Sequence, residues 1–483
     1  MAAAVVAIAL LHADNDGLWF QGDAPRHAMN GFFVWDWLRA FPVNPLDFAV
    51  RYYARYPVIS PATYPPLFYV VEGLSFRVFG PSPFVAKSLI TMLAGLAGLY
   101  TMAWARRWIS PAAGWAGAIL VLMPGMIVWS NAVMLNVPAV ALSTAALFHT
   151  RRWFEDRERH QLVFALIFLL ASLLTYYQSA VTVLLVFIWF VMARQSAEAG
   201  WRRIAIVGGL ILTIGLVPLA VAIYVAPVQL ARHLPTFDRL VTWIGAYIVA
   251  LSLLPARDPR YVLPILPALA IAIVLTPVVL ARLIRPMHER WRSVVVAATA
   301  SIGLAWAYNA AGTEVPRVSG FREPAVYLRQ EAPADAVLYD GFYDGVFGFY
   351  MRGLDPNLER RLARGGSLLY YYGQTTTFRW VELPRVRTVE EVVAAIRERC
   401  GCRWIALEAP KFPRELTSTQ RLLRQAIEHP EFEAVRSFPI ETTRSLRIDL
   451  YRVRGDVSAV PSFDLTFPSF SARVFKDVKP VSR

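Results

Sequence analysis

Acidic, basic and imidazole side chains occur together in one short segment near the start of the chain. The segment is Gly22–His27, and its Asp23, Arg26 and His27 could serve as a base, a cation and a hydrogen-bonding ring. A single positioned carboxylate is enough to deprotonate a nucleophile when the leaving group is already a good one. The same residues equally fit an ordinary turn, because Asp is favoured between Gly and Pro and bonds its own backbone there.

Arg260 and Tyr261 form a second candidate site, directly ahead of the apolar segment Val262–Ala281. A guanidinium can hold phosphate oxygens through two parallel hydrogen bonds, and near lipid this attraction is weakly screened. The alternative is structural, since Arg and Tyr also anchor helices at the membrane surface. The sequence therefore predicts either a phosphate site or an interfacial anchor at this position.

A carboxylate inside an apolar stretch is the third candidate. Glu72 lies in Tyr64–Gly80, a segment that opens on two prolines, ends on glycine and is typical of a helix. Phe68, Tyr69 and Phe76 lie one helical turn from Glu72, and a carboxylate buried among them is unfavourable without a partner. We therefore expect Glu72 to belong to a binding site or to a buried pair.

The composition places these residues in a membrane protein. Of 483 residues 56% are hydrophobic and 17% charged, with a mean hydropathy of +0.42, which is too apolar for a soluble enzyme. No Asp, Glu, Lys or Arg occurs in Trp108–Thr150, Gln161–Ala193 or Ile204–Ala231. Two cysteines are too few for a disulfide-framed secreted domain. The net charge of +14 reflects arginines between apolar blocks, which argues against a nucleic-acid partner.

Apolar blocks predict a polytopic α-helical membrane domain over residues 1–312. The predicted spans are Phe84–Ala105, Ala112–Trp129, Val133–His149, Leu162–Thr175, Ala180–Ala193, Ile204–Val225, Tyr261–Ala281 and Ser293–Ala311, with a weaker one at Leu240–Ala256. Arginine clusters mark the cytoplasmic loops at Arg106–Arg107, Arg151–Arg159, Arg194–Arg203 and Arg282–Arg292. Because such clusters stay inside, residues 12–81 are expected to form a large extracytoplasmic loop that contains Asp23.

Two features of this topology are irregular. Met1–Leu11 is apolar but would cover only about 17 Å as a helix, against a hydrocarbon core of roughly 30 Å. We interpret it as the stub of the first membrane helix. Three candidate spans lie between the inside residues Arg203 and Arg282, and an odd number of crossings cannot return the chain. We therefore expect residues 226–239 to have lost a loop and helix or to make an irregular excursion.

Charged and turn-forming residues are more frequent from residue 313 to residue 483 than in residues 1–312. Short alternating and amphipathic segments predict an α/β domain there, on the extracytoplasmic side. The predicted strands are Ala336–Tyr339, Arg403–Leu407, Phe432–Phe438 and Leu446–Val453, and the predicted helices are Thr388–Arg399 and Thr417–Glu428. Asp340–Gly345 follows a strand without a GxGxxG pattern, which predicts a strand-to-helix turn and not a nucleotide site.

Four segments carry a family resemblance: the acidic motif at Asp23, PPLFYVVEGLSFRVFG from Pro65, VMLNVPAVAL from Val133 and RYVLPILPALAI from Arg260. In this order they resemble the C-type membrane glycosyltransferases, close to glycosyltransferase family 39, the dolichyl-phosphate-mannose-protein mannosyltransferases and the aminoarabinose transferases. The resemblance covers residues 1–310 and, more loosely, the outer domain. It implies a polytopic α-helical protein of the inner cell membrane with a C-terminal extracytoplasmic α/β domain.

Members of this family move a sugar from a polyprenyl-phosphate donor to an extracytoplasmic acceptor. The resemblance implies that Asp23 is the general base in an inverting displacement onto a lipid, glycan or protein, as in protein glycosylation or cell-envelope synthesis. No cofactor is implied, and the sequence gives no support to a divalent metal. The side chains expected to bind substrate are Arg26, His27, Tyr64, Glu72, Asn136, Arg260 and Tyr261.

Two positions depart from the family pattern. Asn136 stands where relatives commonly carry an acidic residue, although its amide can still bind a sugar hydroxyl. Tyr176 stands where many relatives carry a lysine that faces phosphate. These departures, together with the short first helix, leave a catalytically weakened scaffold relative open, and a lipid-linked-sugar transporter or flippase is a second rival. A transporter would carry paired intramembrane charges and symmetrical halves, whereas here the polar residues collect on one face.

Overall fold

The computed structural model describes residues 22–60, 63–194, 237–253, 259–283, 318–332, 334–374, 380–458, 463–466 and 474–481, together with 301, 305, 308–309 and 312–313. These residues divide into two compact units. The helical unit holds residues 64–68 and 87–313, and the sheet unit holds residues 22–63, 69–86 and 318–481. The sheet unit thus combines most of the first loop with the C-terminal region.

Helices make up most of the described chain up to residue 283. The α-helices are α1 Asp23–Ala40, α2 Pro45–Arg55, α3 Leu67–Phe79, α4 Pro83–Trp108, α5 Trp115–Val121, α6 Pro124–Ser130, α7 Asn136–Asp156, α8 Arg159–Leu173, α9 Ala180–Arg194, α10 Phe237–Leu253, α11 Leu266–Leu283, α12 Arg322–Glu331, α13 Asp344–Gly353, α14 Gly365–Leu368, α15 Val389–Ala394 and α16 Ser418–Ala426. The strands are β1 Ala336–Asp340, β2 Arg361–Arg364, β3 Tyr370–Gln374, β4 Trp380–Pro384, β5 Cys402–Pro410, β6 Phe432–Pro439, β7 Ser445–Val453, β8 Phe463–Thr466 and β9 Val474–Val478.

α4 is the helix in the described part of the chain whose length and apolar composition suffice to cross a membrane. It contains the predicted span Phe84–Ala105. Shorter apolar helices cover Arg159–Leu173, Tyr177–Phe190 and Arg260–Leu275. The predicted span Ile204–Val225, most of Ser293–Ala311, the stub Met1–Leu11 and residues 226–236 lie outside the described residues.

The predicted span Ala112–Trp129 is wrong as one continuous helix. A short 3₁₀ helix at Pro111–Gly114 leads into α5, which ends at Val121, and α6 begins at Pro124. Proline lacks an amide hydrogen and its ring collides with the carbonyl four residues earlier, so the helix cannot pass through Pro124. Pro124 instead starts the next helix, where its missing hydrogen is not needed.

Ionic contacts fasten the ends of α4 and α7 to each other. Arg107 Nη2 donates to Asp156 at 2.6 Å, and Trp108 Nε1 donates to Glu155 at 2.6 Å. Arg151, nearly fully buried, lies over the Trp108 ring at 4.1 Å. The two helices therefore end at the same level, and the broken α5–α6 segment returns the chain between them.

The sheet unit is built on a five-stranded sheet in the order β2-β1-β5-β7-β6. β1 pairs in parallel with β2 and β5, while β5, β7 and β6 pair antiparallel. The predicted strands and helices of this region are confirmed. Asp340–Gly345 is the strand-to-helix turn expected, because β1 ends at Asp340 and α13 begins at Asp344. Glu408 fixes this turn by accepting hydrogen bonds from the Phe342 and Tyr343 amides.

A buried ion pair joins α1 to α13 within the sheet unit. Arg352 donates to both carboxylate oxygens of Asp36, through Nε at 2.9 Å and Nη2 at 2.5 Å. The Tyr52 hydroxyl on α2 donates to the same carboxylate at 2.8 Å. Asp36 and Arg352 are 5% and 1% exposed, so each charge depends on the other for its stabilisation.

We expect Asp36→Asn to lower the free energy of unfolding by about 3–5 kcal/mol, because it leaves the Arg352 charge buried without its counter-ion. Asp47→Asn is the matched control, since the pair of Asp47 with Arg51 is exposed and its loss changes stability by less than about 0.5 kcal/mol. Chemical unfolding of the purified full chain measures both. Equal effects of the two substitutions would contradict the role given to the buried pair.

Candidate functional site

Asp23 is the first residue of α1, and Gly22 precedes it as the helix cap. Pro25 fits this first turn without loss of a hydrogen bond, because amide groups there have no partner inside the helix. The helix dipole favours a carboxylate at this end. Asp23 is half-buried. The residue predicted to act as base therefore lies at a helix start that remains accessible to a substrate.

His27 lies one helical turn after Asp23 on the same face of α1. Its Nδ1 is 2.7 Å from the Tyr69 hydroxyl of α3, and the two rings are stacked with centroids 5.8 Å apart. His27 is 2% exposed. The hydrogen bond holds the ring in one orientation inside the sheet unit, and the predicted contact of His27 with a substrate stays a prediction. Sequence reasoning placed Tyr69 near Glu72 but did not pair it with His27.

Arg26 lies in a cluster of charges at the start of α13. Its guanidinium is 4.0 Å from Asp344, and Arg364 of β2 forms a closer ion pair with the same carboxylate. Gly345 allows this approach, because a Cβ there would lie 2.9 Å from Pro25 Cγ. Two arginines thus share one carboxylate near the start of α1.

Glu72 is fully buried at the contact between α3 and α1. Neither of its carboxylate oxygens has a hydrogen-bond partner among the described residues. Burial raises the pKa of Glu72 well above its usual value. The side chain is enclosed within the sheet unit, and its predicted role in binding substrate stays a prediction.

The helical unit brings together Tyr64, Asn136, Arg260 and Tyr261, four of the residues predicted to bind substrate. Asn136 Nδ2 donates to Gln178 Oε1 at 3.5 Å, and Gln178 Nε2 donates to the Tyr261 carbonyl at 3.0 Å. The Arg260 guanidinium lies 5.6 Å from the centre of the Tyr261 ring. These side chains converge although up to two hundred residues separate them in sequence.

Tyr176 completes this group, which we call the Arg260 cluster (Tyr64, Asn136, Tyr176, Gln178, Arg260 and Tyr261). Its ring lies 6.2 Å from that of Tyr64. Burial raises the pKa of Tyr176, and Tyr261 raises it further while Arg260 lowers it. The hydroxyl therefore stays neutral at physiological pH and can donate a hydrogen bond. Tyr176 therefore supplies a neutral hydrogen-bond donor to the Arg260 cluster.

Breaks between helices position the Arg260 cluster. Arg260 lies in the 3₁₀ segment Pro259–Ile265, Asn136 begins α7, and Tyr176 caps the short turn Tyr177–Ser179 after α8. Backbone polar groups at such breaks are not consumed by helical hydrogen bonds, so side chains like Gln178 find partners there. The sequence analysis did not identify Gln178 as a site residue. The one pointer to it was its polar amide side chain between two apolar segments.

The predicted site residues therefore fall into two groups. Asp23, Arg26, His27 and Glu72 belong to the sheet unit, and the Arg260 cluster belongs to the helical unit. The expected approach of Asp23 to Arg260 within about 10 Å, given hydrogen-bond contacts at both ends of a donor, stays a prediction. Among the described residues no three His, Cys, Asp or Glu side chains are grouped so that they could hold a metal ion.

Solved structures share this fold over almost the whole chain. ArnT from Cupriavidus metallidurans bound to undecaprenyl phosphate matches with a TM-score of 0.56 and 13% identity, over 95% of this chain and 98% of that chain. The apo state of the same protein matches with a TM-score of 0.55, 14% identity and the same coverage. The chain has the C-type glycosyltransferase fold.

The mycobacterial arabinofuranosyltransferase AftD also matches, with a TM-score of 0.46 and 16% identity, over 82% of this chain and 37% of that chain. No family model and no curated protein matches the sequence. At 13–14% identity the ArnT structures establish the C-type fold, and the resemblance predicted from four short segments is confirmed at that level.

Proposed function

We propose that this protein is a membrane glycosyltransferase that takes its sugar from a polyprenyl-phosphate donor. The observation that carries the proposal is the fold match over 95% of the chain to ArnT, a protein whose structure contains bound undecaprenyl phosphate. The charges and polar groups of the chain support it. A lipid-phosphate donor needs a cation for its phosphate and polar groups for its sugar, and the Arg260 cluster contains both.

The proposed reaction is one displacement at the anomeric carbon. An acceptor hydroxyl or amine loses its proton to the Asp23 carboxylate and forms the new bond to that carbon. The bond from the anomeric carbon to the phosphate oxygen breaks, and polyprenyl phosphate leaves with both electrons of that bond. Attack from the opposite face inverts the anomeric configuration. No separate general acid is needed, because a phosphate monoester anion is a good leaving group.

Charge neutralisation is the second requirement of this reaction. In the proposal Arg260 binds the phosphate through its planar guanidinium group. This group stays positively charged at physiological pH. Tyr176 and Asn136 donate neutral hydrogen bonds to the phosphate or sugar. Arg26 lies one turn along α1 from Asp23 and offers a second cation to the anionic donor.

The proposed location follows from the arginine clusters and the fold. We place the protein in the inner cell membrane as a multi-pass protein, with Asp23 and the α/β domain on the extracytoplasmic side. Its partners would be the polyprenyl-phosphate sugar, membrane lipids and a lipid, glycan or protein acceptor of the cell envelope. Neither a cofactor nor nucleic acid has a part in the proposal.

The test is a transfer assay with the full-length protein in lipid nanodiscs. Undecaprenyl-phosphate donors carrying different sugars are supplied with a membrane extract as acceptor, and release of undecaprenyl phosphate is followed with time. We expect release that depends on protein and on acceptor for at least one sugar. Movement of an intact donor across the bilayer without release would favour a flippase, and binding without release would favour a scaffold.

A further inference from the structure

α1 and α3 touch along a seam made by His27 and Gly31 of α1 and Tyr69, Glu72 and Gly73 of α3. Beyond the bond between His27 and Tyr69, the helices come into backbone contact. A Cβ at Gly31 would lie 2.5 Å from Glu72 Oε2, and a Cβ at Gly73 would lie 3.0 Å from the Gly31 carbonyl oxygen. Only glycine allows this distance, so the carboxyl group of Glu72 rests directly on the backbone of α1.

The carboxyl group of Glu72 has none of the usual partners of a buried acid. Its side chain is 0% exposed, and both oxygens lack a hydrogen-bond partner in the described part of the chain. An ionised carboxylate is strongly destabilised in such surroundings, and a buried acid without a partner keeps its proton instead. Burial correspondingly raises the pKa of Glu72.

The charged and titratable groups around the seam are engaged elsewhere. His27 is bonded to its tyrosine partner, and Asp36 of α1 is paired with Arg352 of α13. Arg352 also lies 5.6 Å from the centre of the Trp35 ring, and Arg77 at the end of α3 is exposed. Within the described residues none of these groups pairs with Glu72, so nothing there would stabilise its charge.

We propose that Glu72 is a buried neutral acid that makes the seam between α1 and α3 a pH-sensitive joint. Loss of its proton in alkaline solution places a charge against the backbone of α1, separates the two helices and breaks the hydrogen bond between His27 and Tyr69. Asp23 lies one turn before His27, so the start of α1 moves with this change. The inference does not rest on the proposed function.

The sign of the pH effect follows from the raised pKa of Glu72. In the unfolded chain a Glu side chain titrates near about pH 4.3, whereas the folded protein keeps this proton to higher pH. Between those two values the folded state binds more protons than the unfolded state, and its stability falls as pH rises. Glu72→Gln keeps the size and neutrality of the side chain and removes this contribution.

Thermal unfolding of the full-length protein from about pH 5 to about pH 8 tests the proposal. We expect the midpoint of Glu72→Gln minus that of the wild type to grow with pH, by about 1–2 °C per pH unit. Glu398→Gln, at an exposed position of the sheet unit, is the control and should track the wild type. A constant difference between Glu72→Gln and the wild type would overturn the proposal.

Infrared spectroscopy gives a readout that is independent of unfolding. The spectrum of the wild type minus that of Glu72→Gln should contain the carbonyl band of a protonated carboxyl group at neutral pH, and this band should vanish reversibly in alkaline solution. A carboxylate band at neutral pH would contradict the proposal. Glu72→Met is a second neutral variant of similar size. If both variants failed to fold, Glu72 would need its carboxyl group for a partner, and the joint would be excluded.

Discussion

Asp23→Asn is expected to reduce sugar transfer by roughly 10²–10⁴-fold while leaving the protein folded, because the amide cannot accept the proton of the acceptor. Asn has nearly the same size, and Asp23 is half-buried at a helix start. Loss of its charge beside the helix dipole changes stability by only about 0.3–1 kcal/mol. Release of undecaprenyl phosphate from a sugar-loaded donor measures the rate, and thermal unfolding measures the stability.

Asp47→Asn is the matched control for this substitution. Asp47 lies in the first turn of α2 in the same unit, with the same chemistry and an exposed side chain. It should keep the wild-type rate. Wild-type turnover by Asp23→Asn would remove the base from the proposed mechanism, whereas equal losses in both variants would point to a general effect of charge on donor binding.

Arg260→Gln is expected to weaken use of the donor by at least about 25-fold in kcat/KM. Removing one partner of a desolvated, hydrogen-bonded charge pair destabilises the complex by about 2 kcal/mol or more. Arg260→Lys should recover part of this loss, since it restores the charge but not the planar fork. The affinity for undecaprenyl phosphate without a sugar should fall by a similar factor. This affinity is measured separately, because it depends on the phosphate and the lipid alone.

The control for Arg260→Gln is Arg447→Gln, which removes an exposed arginine of β7 that pairs with Asp449. Its donor affinity should equal that of the wild type. If Arg260→Gln bound undecaprenyl phosphate as tightly as the wild type, Arg260 would be an interfacial anchor and not a phosphate ligand. The sequence left both interpretations open, and this measurement separates them.

Local patterns predicted much of the secondary structure. The apolar block Phe84–Ala105 predicted α4, and alternating residues predicted β6 and β7, because each signal depends on neighbours within a few positions. The break at Pro124 was missed, since apolar composition is equally high on both sides of it. Hydropathy averages over a window and does not register one missing amide hydrogen.

Contacts between distant residues limited what could be predicted of the site. Asp23 was recognised from its neighbours, but the partner of His27 is 42 positions away and the link from Gln178 to Tyr261 spans 83 positions. The periodic pattern of residues within one helix does not indicate which distant residues will contact each other. Glu72 was expected to have a site role or a buried partner; the described residues enclose it against Gly31 without a hydrogen-bond partner, and its site role stays a prediction.

The pair of Asp36 and Arg352 joins two segments that are 316 positions apart in the sequence. A recombination event that exchanged only the C-terminal domain with a relative lacking this arginine would leave Asp36 buried and unneutralised beneath α13. The chimera would fold poorly even if each parental domain were sound. The first loop and the C-terminal domain are therefore expected to be inherited together, as one module that is interrupted by the helical unit and descends from a single parent.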